Sequence, residues 1–166
     1  ALVRSPMAIA YSAWDLAALS DGRFQLGLGT QIRPHIERRF GAQFDDPTGR
    51  LRDHIGAVRA CWRAFDGLEK LDYSSEHYTL NLLTPNFTPD PLPAHIERPN
   101  IWMGGVNKKL VELAGQIADG FVTHPTNSHP RYLRELCRPG LQAGADATGR
   151  VLSGLELVVG TQWILG

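Results

Sequence analysis

The residues predict an α/β fold made of repeated αβ units around a parallel sheet, and two observations carry that prediction. The first is a local grammar that occurs twice. A helical run at Trp14–Leu19 leads through Ser20-Asp21 to Gly22 and then to a short apolar strand, Arg23–Gly29. A second helical run, Lys108–Ala118, leads to Asp119-Gly120 and then to Phe121-Val122-Thr123. Glycine after a helix suits the left-handed residue that closes it, because there is no Cβ to clash. The second observation is that strand-like runs are separated by about one helix or more. Such spacing predicts right-handed crossovers between parallel strands. Ligands of such sheets gather where strands end and helices begin.

Each element has its own signal. Ala1–Val3 reads as the tail of a strand. Ser5-Pro6 opens a helix, with Ser as cap and Pro in the first turn. Its alanines (8, 10, 13, 17 and 18) suit close packing on a sheet. Thr30–Gly49 is polar and irregular, with a turn of helix at Ile36–Phe40; a loop this long inside a domain is usually functional. Leu51, Ile55, Val58, Cys61, Trp62 and Phe65 recur at helical spacing, which predicts a helix over Leu51–Phe65. Tyr73–Leu83 alternates like a strand or hairpin, and Pro85, Pro89, Pro91, Pro93 and Pro99 then forbid regular pairing. Residues 67–100 therefore form an excursion from the αβ repeat. Asn100–Met103 is the next strand, followed by Gly104-Gly105-Val106-Asn107. Pro130–Ala143 is helical, kinked or split at Pro139-Gly140, Gly144–Gly154 is a turn region, and Leu155–Leu165 is the last strand.

Bulk composition narrows the function. The 166 residues suffice for one domain with a sizeable core. Seventeen Lys+Arg balance seventeen Asp+Glu, so no field favours nucleic acid or an anionic membrane. No apolar run approaches the roughly 20 residues that span a bilayer, and no signal peptide is visible at Ala1–Pro6. Cys61 and Cys137 stand alone in helical runs, as reduced packing residues of a cytoplasmic protein do. The chain opens apolar without Met and stops inside a strand-like run, as expected of a piece of a longer protein.

The candidate site lies at the strand exits. These are Gly29-Thr30-Gln31, Gly104-Gly105-Val106-Asn107 and His124–His129. Paired glycines let the backbone approach a ligand, and the helix that follows offers unpaired N–H groups and a positive dipole end. Both favour phosphate. Thr30, Thr123, Thr126, Asn127 and Ser128 supply neutral donors nearby. The alternative is that Gly104-Gly105 merely makes a tight turn. Gly27-Leu28-Gly29 is not a dinucleotide fingerprint, since the third glycine and the immediate helix are missing. No His-x-x-x-His or Cys pair completes a ligand set, so no metal site is expected. No Gly-x-Ser-x-Gly elbow supports hydrolysis. His124 and His35 are candidate donors or bases on the functional face. Arg33, Arg38 and Arg39 read as a solvated surface, with a charged ligand tail as the alternative.

Asp21–Thr30 (Asp-Gly-Arg-Phe-Gln-Leu-Gly-Leu-Gly-Thr), Ile101–Asn107 (Ile-Trp-Met-Gly-Gly-Val-Asn) and Leu113–Gly120 (Leu-Ala-Gly-Gln-Ile-Ala-Asp-Gly) resemble the bacterial luciferase-like oxidoreductases and monooxygenases. Within that family they look most like the branch dependent on the deazaflavin coenzyme F420. The resemblance implies a (β/α)8 TIM barrel, of which residues 1–166 would be one partial domain from the end of the third strand through the seventh. It implies a cofactor phosphate held by Gly104, Gly105, Val106, Asn107, His124 and Thr126, with the ring near Thr30. The implied activity is hydride transfer between F420 and an unknown small organic substrate. The alternatives are an FMN-dependent monooxygenase acting with oxygen, and an inactive truncated fragment. Acid/base residues of the early strands would lie upstream of Ala1, and Gln31 and Ile32 stand where sugar-phosphate dehydrogenases of the family carry an acid. The catalytic residues are therefore left unassigned.

A parallel sheet cut at both ends leaves unpaired backbone at its edges. The expected outcome is a homo-oligomer or an otherwise self-associating chain in sedimentation velocity. A monodisperse monomer with a sharp cooperative melt would overturn that expectation.

Overall fold

The computed structural model describes residues 2–160. The chain divides into two compact units. One comprises Ala1–Leu26 and Thr30–Pro99, the other Gly27–Gly29 and Asn100–Gly166.

The first unit is built on two helices, α1 (Pro6–Leu19) and α2 (Pro47–Phe65). Ser5 caps α1 by accepting from the Ala8 N–H, and Pro6 occupies the first turn, where no N–H is missed. Ahead of that cap Leu2 and Val3 form a turn rather than a strand end. Helix α2 starts four residues before the predicted Leu51. Asp46 accepts from Gly49 N–H at 3.1 Å, Pro47 fills the first turn, and the irregular loop ends there. The alanine face of α1 (Ala10, Ala13, Ala17) and Trp14 are buried, as are Leu51, Ile55, Val58, Cys61, Trp62 and Phe65 of α2. Trp62 donates across the pair to the Ala10 carbonyl at 3.1 Å, and Tyr11 stacks on Phe65 with ring centres 4.9 Å apart. Both left-handed residues after α1 help to close it: Asp21 has φ 56° and Gly22 φ 75°, and the Gly22 amide donates to the Ala17 carbonyl.

The proline-rich excursion is a strap. Its hairpin is short, β2 (Tyr73–Ser74) antiparallel to β3 (Thr79–Leu80). Beyond the hairpin the chain lies along α1. The Tyr11 hydroxyl donates to the Phe87 carbonyl, Trp14 donates to the Asp90 carbonyl at 2.9 Å, and His95 meets Asp21 at 2.8 Å. Between strap and helix, Ile96 is buried. The turn of helix near Ile36 is a π-helical turn, His35–Arg39, with Ile36 buried beneath it.

The second unit carries the sheet. Strand β1 (Leu26–Leu28), shorter than the predicted Arg23–Gly29, heads the order β1-β4-β5-β6, with β4 at Ile101–Gly105, β5 at Gly120–Thr123 and β6 at Glu156–Val159. The β4–β5 and β5–β6 pairs are parallel, as the helix spacing requires. The predicted continuation of the last strand, residues 161–165, falls outside the described residues. Helix α3 (Lys108–Ile117) follows β4. After β5 come a short α4 (Pro130–Tyr132), a π-helical turn (Leu133–Cys137) and α5 (Arg138–Thr148). Pro139 has no N–H to donate four residues back, and the wider turn before it absorbs that loss without a break. Ile101, Met103 and Phe121 lie on the buried face of the sheet with Leu110, Val111, Leu113 and Leu141 of the helices.

Helix α5 overruns the predicted turn region at Gly144. This glycine serves packing: a methyl group there would collide with the Glu112 carbonyl of α3, and one at Gly115 with the Leu141 carbonyl of α5. The helix stops instead at Gly149, with φ 67°, whose N–H donates back to Asp146. Gly144→Ala is expected to destabilise by about 1–3 kcal/mol despite the better helix propensity of alanine. Gly104→Ala, where a methyl would meet only the Val122 carbonyl at 3.8 Å, should stay within about 0.5 kcal/mol of wild type. Urea denaturation of the two variants checks the pair.

Candidate functional site

The parallel register sets the candidate site. Ile101 and Asp119 clasp each other at the start of the strands. The Ile101 N–H donates to the Asp119 carboxylate at 2.8 Å, and the Asp119 N–H donates to the Ile101 carbonyl at 2.8 Å. Trp102 then pairs with Gly120 and Gly105 with Thr123, so β4 and β5 run out side by side. Gly104–Asn107 and His124–Thr126 are thereby brought to neighbouring exits of one sheet. Thr30 belongs to the first unit. It is buried, and its hydroxyl donates to the Gln31 carbonyl at 3.1 Å, in a turn where Gln31 itself has φ 62°.

At the β4 exit the two glycines differ. A methyl at Gly105 would press on Leu110 Cβ at 2.9 Å, so this glycine lets α3 close onto its own strand. Gly104 has no such tight contact: a methyl there would meet the Val122 carbonyl at 3.8 Å, an ordinary van der Waals distance. Asn107 caps α3: its Oδ1 accepts from Leu110 N–H at 2.9 Å, and its carbonyl accepts from Val111 N–H. The first-turn amides of Lys108 and Lys109 have no helical carbonyl to meet, which is the usual state of a helix N-terminus. An uncrowded glycine beside free amides at a positive dipole end fits a phosphate group.

The β5 exit is rigidly wired. Gly160 N–H donates to Thr123 Oγ1 at 3.2 Å, Thr123 Oγ1 pairs with Ser128 Oγ at 2.8 Å, and Ser128 Oγ donates to the His124 carbonyl at 3.1 Å. With each hydroxyl giving one proton onward, the series is balanced from end to end. Thr123 and Ser128, expected as free donors, are spent on this relay. The His124 ring has Nδ1 committed to Thr126, through the hydroxyl at 2.7 Å and the amide at 3.3 Å, which leaves Nε2 as its outward nitrogen. In the tautomer that keeps a proton on Nε2, the single Thr126 hydroxyl proton goes to His124 Nδ1, and Asn127 Oδ1 lies 2.9 Å from the same hydroxyl oxygen. Thr126 therefore orients His124 as well as lining the exit.

Other polar groups have structural duties. Arg33 bridges Glu37 at 2.7 Å and lies over the Phe44 ring at 5.2 Å, at the lip of a shallow hollow of about 490 Å³ that Asp45 also lines. His35 Nδ1 is 3.1 Å from Gln31 Oε1. Among the described residues, Asp46, Glu76 and His77 bring ligand-type atoms within 4.8 Å of one another. Asp46 is the cap of α2, and His77 Nδ1 lies 2.8 Å from Asp53.

The residue least foreseeable from the sequence is His54. It sits on the apolar face of α2, fully buried, with Nδ1 3.3 Å from the Tyr78 hydroxyl and no partner for Nε2 among the described residues. Its helical spacing marks it as a core position, and only that spacing hints at an unusual environment.

Comparison with known proteins gives the family and the fold. The model of the luciferase-like monooxygenase family matches residues 1–166, and the chain belongs to that family. An uncharacterized protein of Mycobacterium tuberculosis is 42% identical over 157 residues, covering 95% of this chain and 45% of the relative. The F420-dependent glucose-6-phosphate dehydrogenase of Nakamurella multipartita is 26% identical over 165 residues, covering 93% and 43%. Among solved structures, an F420-dependent secondary alcohol dehydrogenase bound to an F420-acetone adduct superposes with a TM-score of 0.75 at 17% identity, covering 93% of this chain and 44% of that one. The EDTA monooxygenase of Chelativorans sp. BNC1 superposes at 0.69 with 16% identity, covering 94% and 40%. The chain thus spans less than half the length of these relatives, and its fold is part of a luciferase-like α/β barrel. Among the described residues no helix is long and apolar enough to cross a membrane.

Burial pushes the His54 imidazole from its ordinary 6.5 down to about 4. The unfolded chain therefore binds more protons between those values, and this contribution to stability is complete above pH 6.5 and lost as pH falls toward 4. Between pH 7 and pH 5 wild type is expected to lose about 2 kcal/mol through this group, and His54→Gln to lose that slope. Urea unfolding at the two pH values measures it.

Proposed function

We propose that this chain forms the phosphate-holding part of an F420-dependent oxidoreductase that moves a hydride between the deazaflavin and a small organic substrate. One observation carries the reading: the uncrowded glycine at Gly104, the amides that follow Asn107, and the outward Nε2 of His124 stand at adjacent exits of one parallel sheet. F420-dependent relatives and structural neighbours support the choice of cofactor.

When bound, F420 supplies the hydride chemistry, and the protein supplies position and dryness. Gly104 leaves room for the anionic linkage to approach the main chain. The Lys108 and Lys109 amides donate to it, with Gly105 and Val106 shaping the loop that presents them. His124 adds a side-chain donor from the neighbouring exit, held in orientation by Thr126. Thr30 stands just past the exit of β1, where this reading puts the ring. The catalytic acid/base residues stay unassigned. We further read the intact protein as a cytoplasmic homo-oligomer, with neither nucleic acid nor membrane as a partner.

A second reading is an FMN-dependent monooxygenase. The phosphate donors named here serve either cofactor equally, and monooxygenases stand among the structural neighbours.

Titration of the intact protein with F420 and with FMN, followed by fluorescence, tests both. Saturable binding of F420 in preference to FMN is expected, and preference for FMN would favour the second reading. Gly104→Val should weaken F420 binding by at least about tenfold, through the space its side chain takes, while the melting temperature moves by only a few degrees. A variant that binds F420 as tightly as wild type would remove Gly104 from the site.

A further inference from the structure

We propose that Tyr132 is a positioning residue that aims the Asn107 amide at the cofactor phosphate; this rests on the F420 reading above. Tyr132 closes α4, the first α-helical turn after the β5 exit, yet its hydroxyl crosses to the β4 exit and donates to the Val106 carbonyl at 3.1 Å. Val106 is otherwise an exposed loop residue, its side chain free of the core.

The consequence follows from peptide geometry. In a trans peptide the carbonyl of one residue and the N–H of the next point in opposite directions across a rigid plane. Holding the Val106 carbonyl toward Tyr132 therefore turns the Asn107 N–H the other way. That amide has no partner among the described residues, and its neighbours in sequence are the free first-turn amides of Lys108 and Lys109. Asn107 is fixed from its other side as well, by its cap bond to Leu110 N–H. One hydroxyl thus settles the rotation of the single peptide plane that neither strand nor helix would otherwise hold. Partial burial, and to a lesser extent the neighbouring Cys137 thiol, keep the phenol above its ordinary value, so the proton to be donated is present throughout the neutral range. The π-helical turn that begins at Leu133 directly follows Tyr132.

The role differs from that of a ligand-binding side chain, because Tyr132 would not touch the cofactor. Its loss should act only on the anionic part of the ligand. The test compares Tyr132→Phe with wild type in the intact protein, using two probes: F420, and its deazaflavin chromophore without the phosphate-bearing tail. Tyr132→Phe is expected to weaken F420 about five- to tenfold, the worth of one neutral hydrogen bond, and to leave the chromophore's affinity unchanged. Equal loss for both probes, or no loss for F420, would overturn the proposal. A second readout needs no ligand. The Asn107 amide cross-peak in a ¹H–¹⁵N spectrum should move in Tyr132→Phe while that of Leu110 stays in place. A stationary Asn107 peak sinks the positioning role by itself, whereas failure of wild type to bind either probe sinks the functional reading and, with it, the phosphate as the amide's target.

Discussion

The candidate site depends on the clasp between Ile101 and Asp119. Two short hydrogen bonds, one to the Asp119 carboxylate and one from its backbone, lock the first residue of β4 against the residue before β5. Side chains alternate faces along a strand, so a one-residue slip would turn every one of them over. With the clasp in place, Ile101, Met103 and Phe121 face the helices, and the Trp102 indole covers Gly120 so closely that a methyl group there would strike its ring. The same register delivers Gly105 and Thr123 to one level, and the two exit loops leave the sheet together. Ala118-Asp119-Gly120 is thus a structural signature at the entrance of the strands whose effect is felt at their exit.

Much of the architecture was legible because its signals are local. The helices announced themselves through apolar spacing, Ser5-Pro6 and the Asn107 cap, and the parallel sheet through helices interposed between strands. Glycine was less readable, since one letter answers to different demands. Gly22 and Gly149 satisfy a positive φ, Gly120 makes way for an indole, Gly144 and Gly115 let two helices touch backbone to backbone, and Gly105 admits Leu110. The repeated helix-Asp-Gly pattern, one grammar on the page, therefore has two causes. Reading Gly144 as a stop shortened α5 by several residues, because its contact with Glu112 lies 32 positions away in sequence.

The exits of the strands were legible as places and opaque as chemistry. Gly104–Asn107 and His124–Thr126 could be named from the βα grammar alone. Which donors stay available could not, because that depends on who bonds to whom. Thr123 and Ser128 look like free hydroxyls in sequence and are consumed in a relay that runs from Gly160 to the His124 carbonyl. Tyr132, an apolar-looking position in a helical run, turns out to hold a carbonyl 26 residues earlier. The strap at residues 85–96 is similar: its prolines excluded a sheet, but only the bonds from Tyr11 and Trp14 reveal that it binds α1.

A site made this way has a particular physical character. On the proposed reading its anion-binding groups would be amides, a helix dipole and one imidazole; Lys108 is drawn toward Glu112 at 3.5 Å on the solvent side, and among the described residues no buried guanidinium is committed to the exits. Attraction by oriented dipoles falls off within a turn of helix, so it discriminates by contact rather than by long-range field. Such a cradle does little to gather ligand from solution, in keeping with a chain of zero formal charge, and much to fix an anion once it arrives. That demands donors already in place, since amides that had to rotate into position would spend the binding energy on their own ordering. The relay behind Thr123, the Thr126 hold on His124 and the Tyr132 hold on Val106 all answer that demand. The first and third tie an exit loop to a regular element beside it and the second stiffens one loop from within, so the exits of these βα units are wired rather than loose.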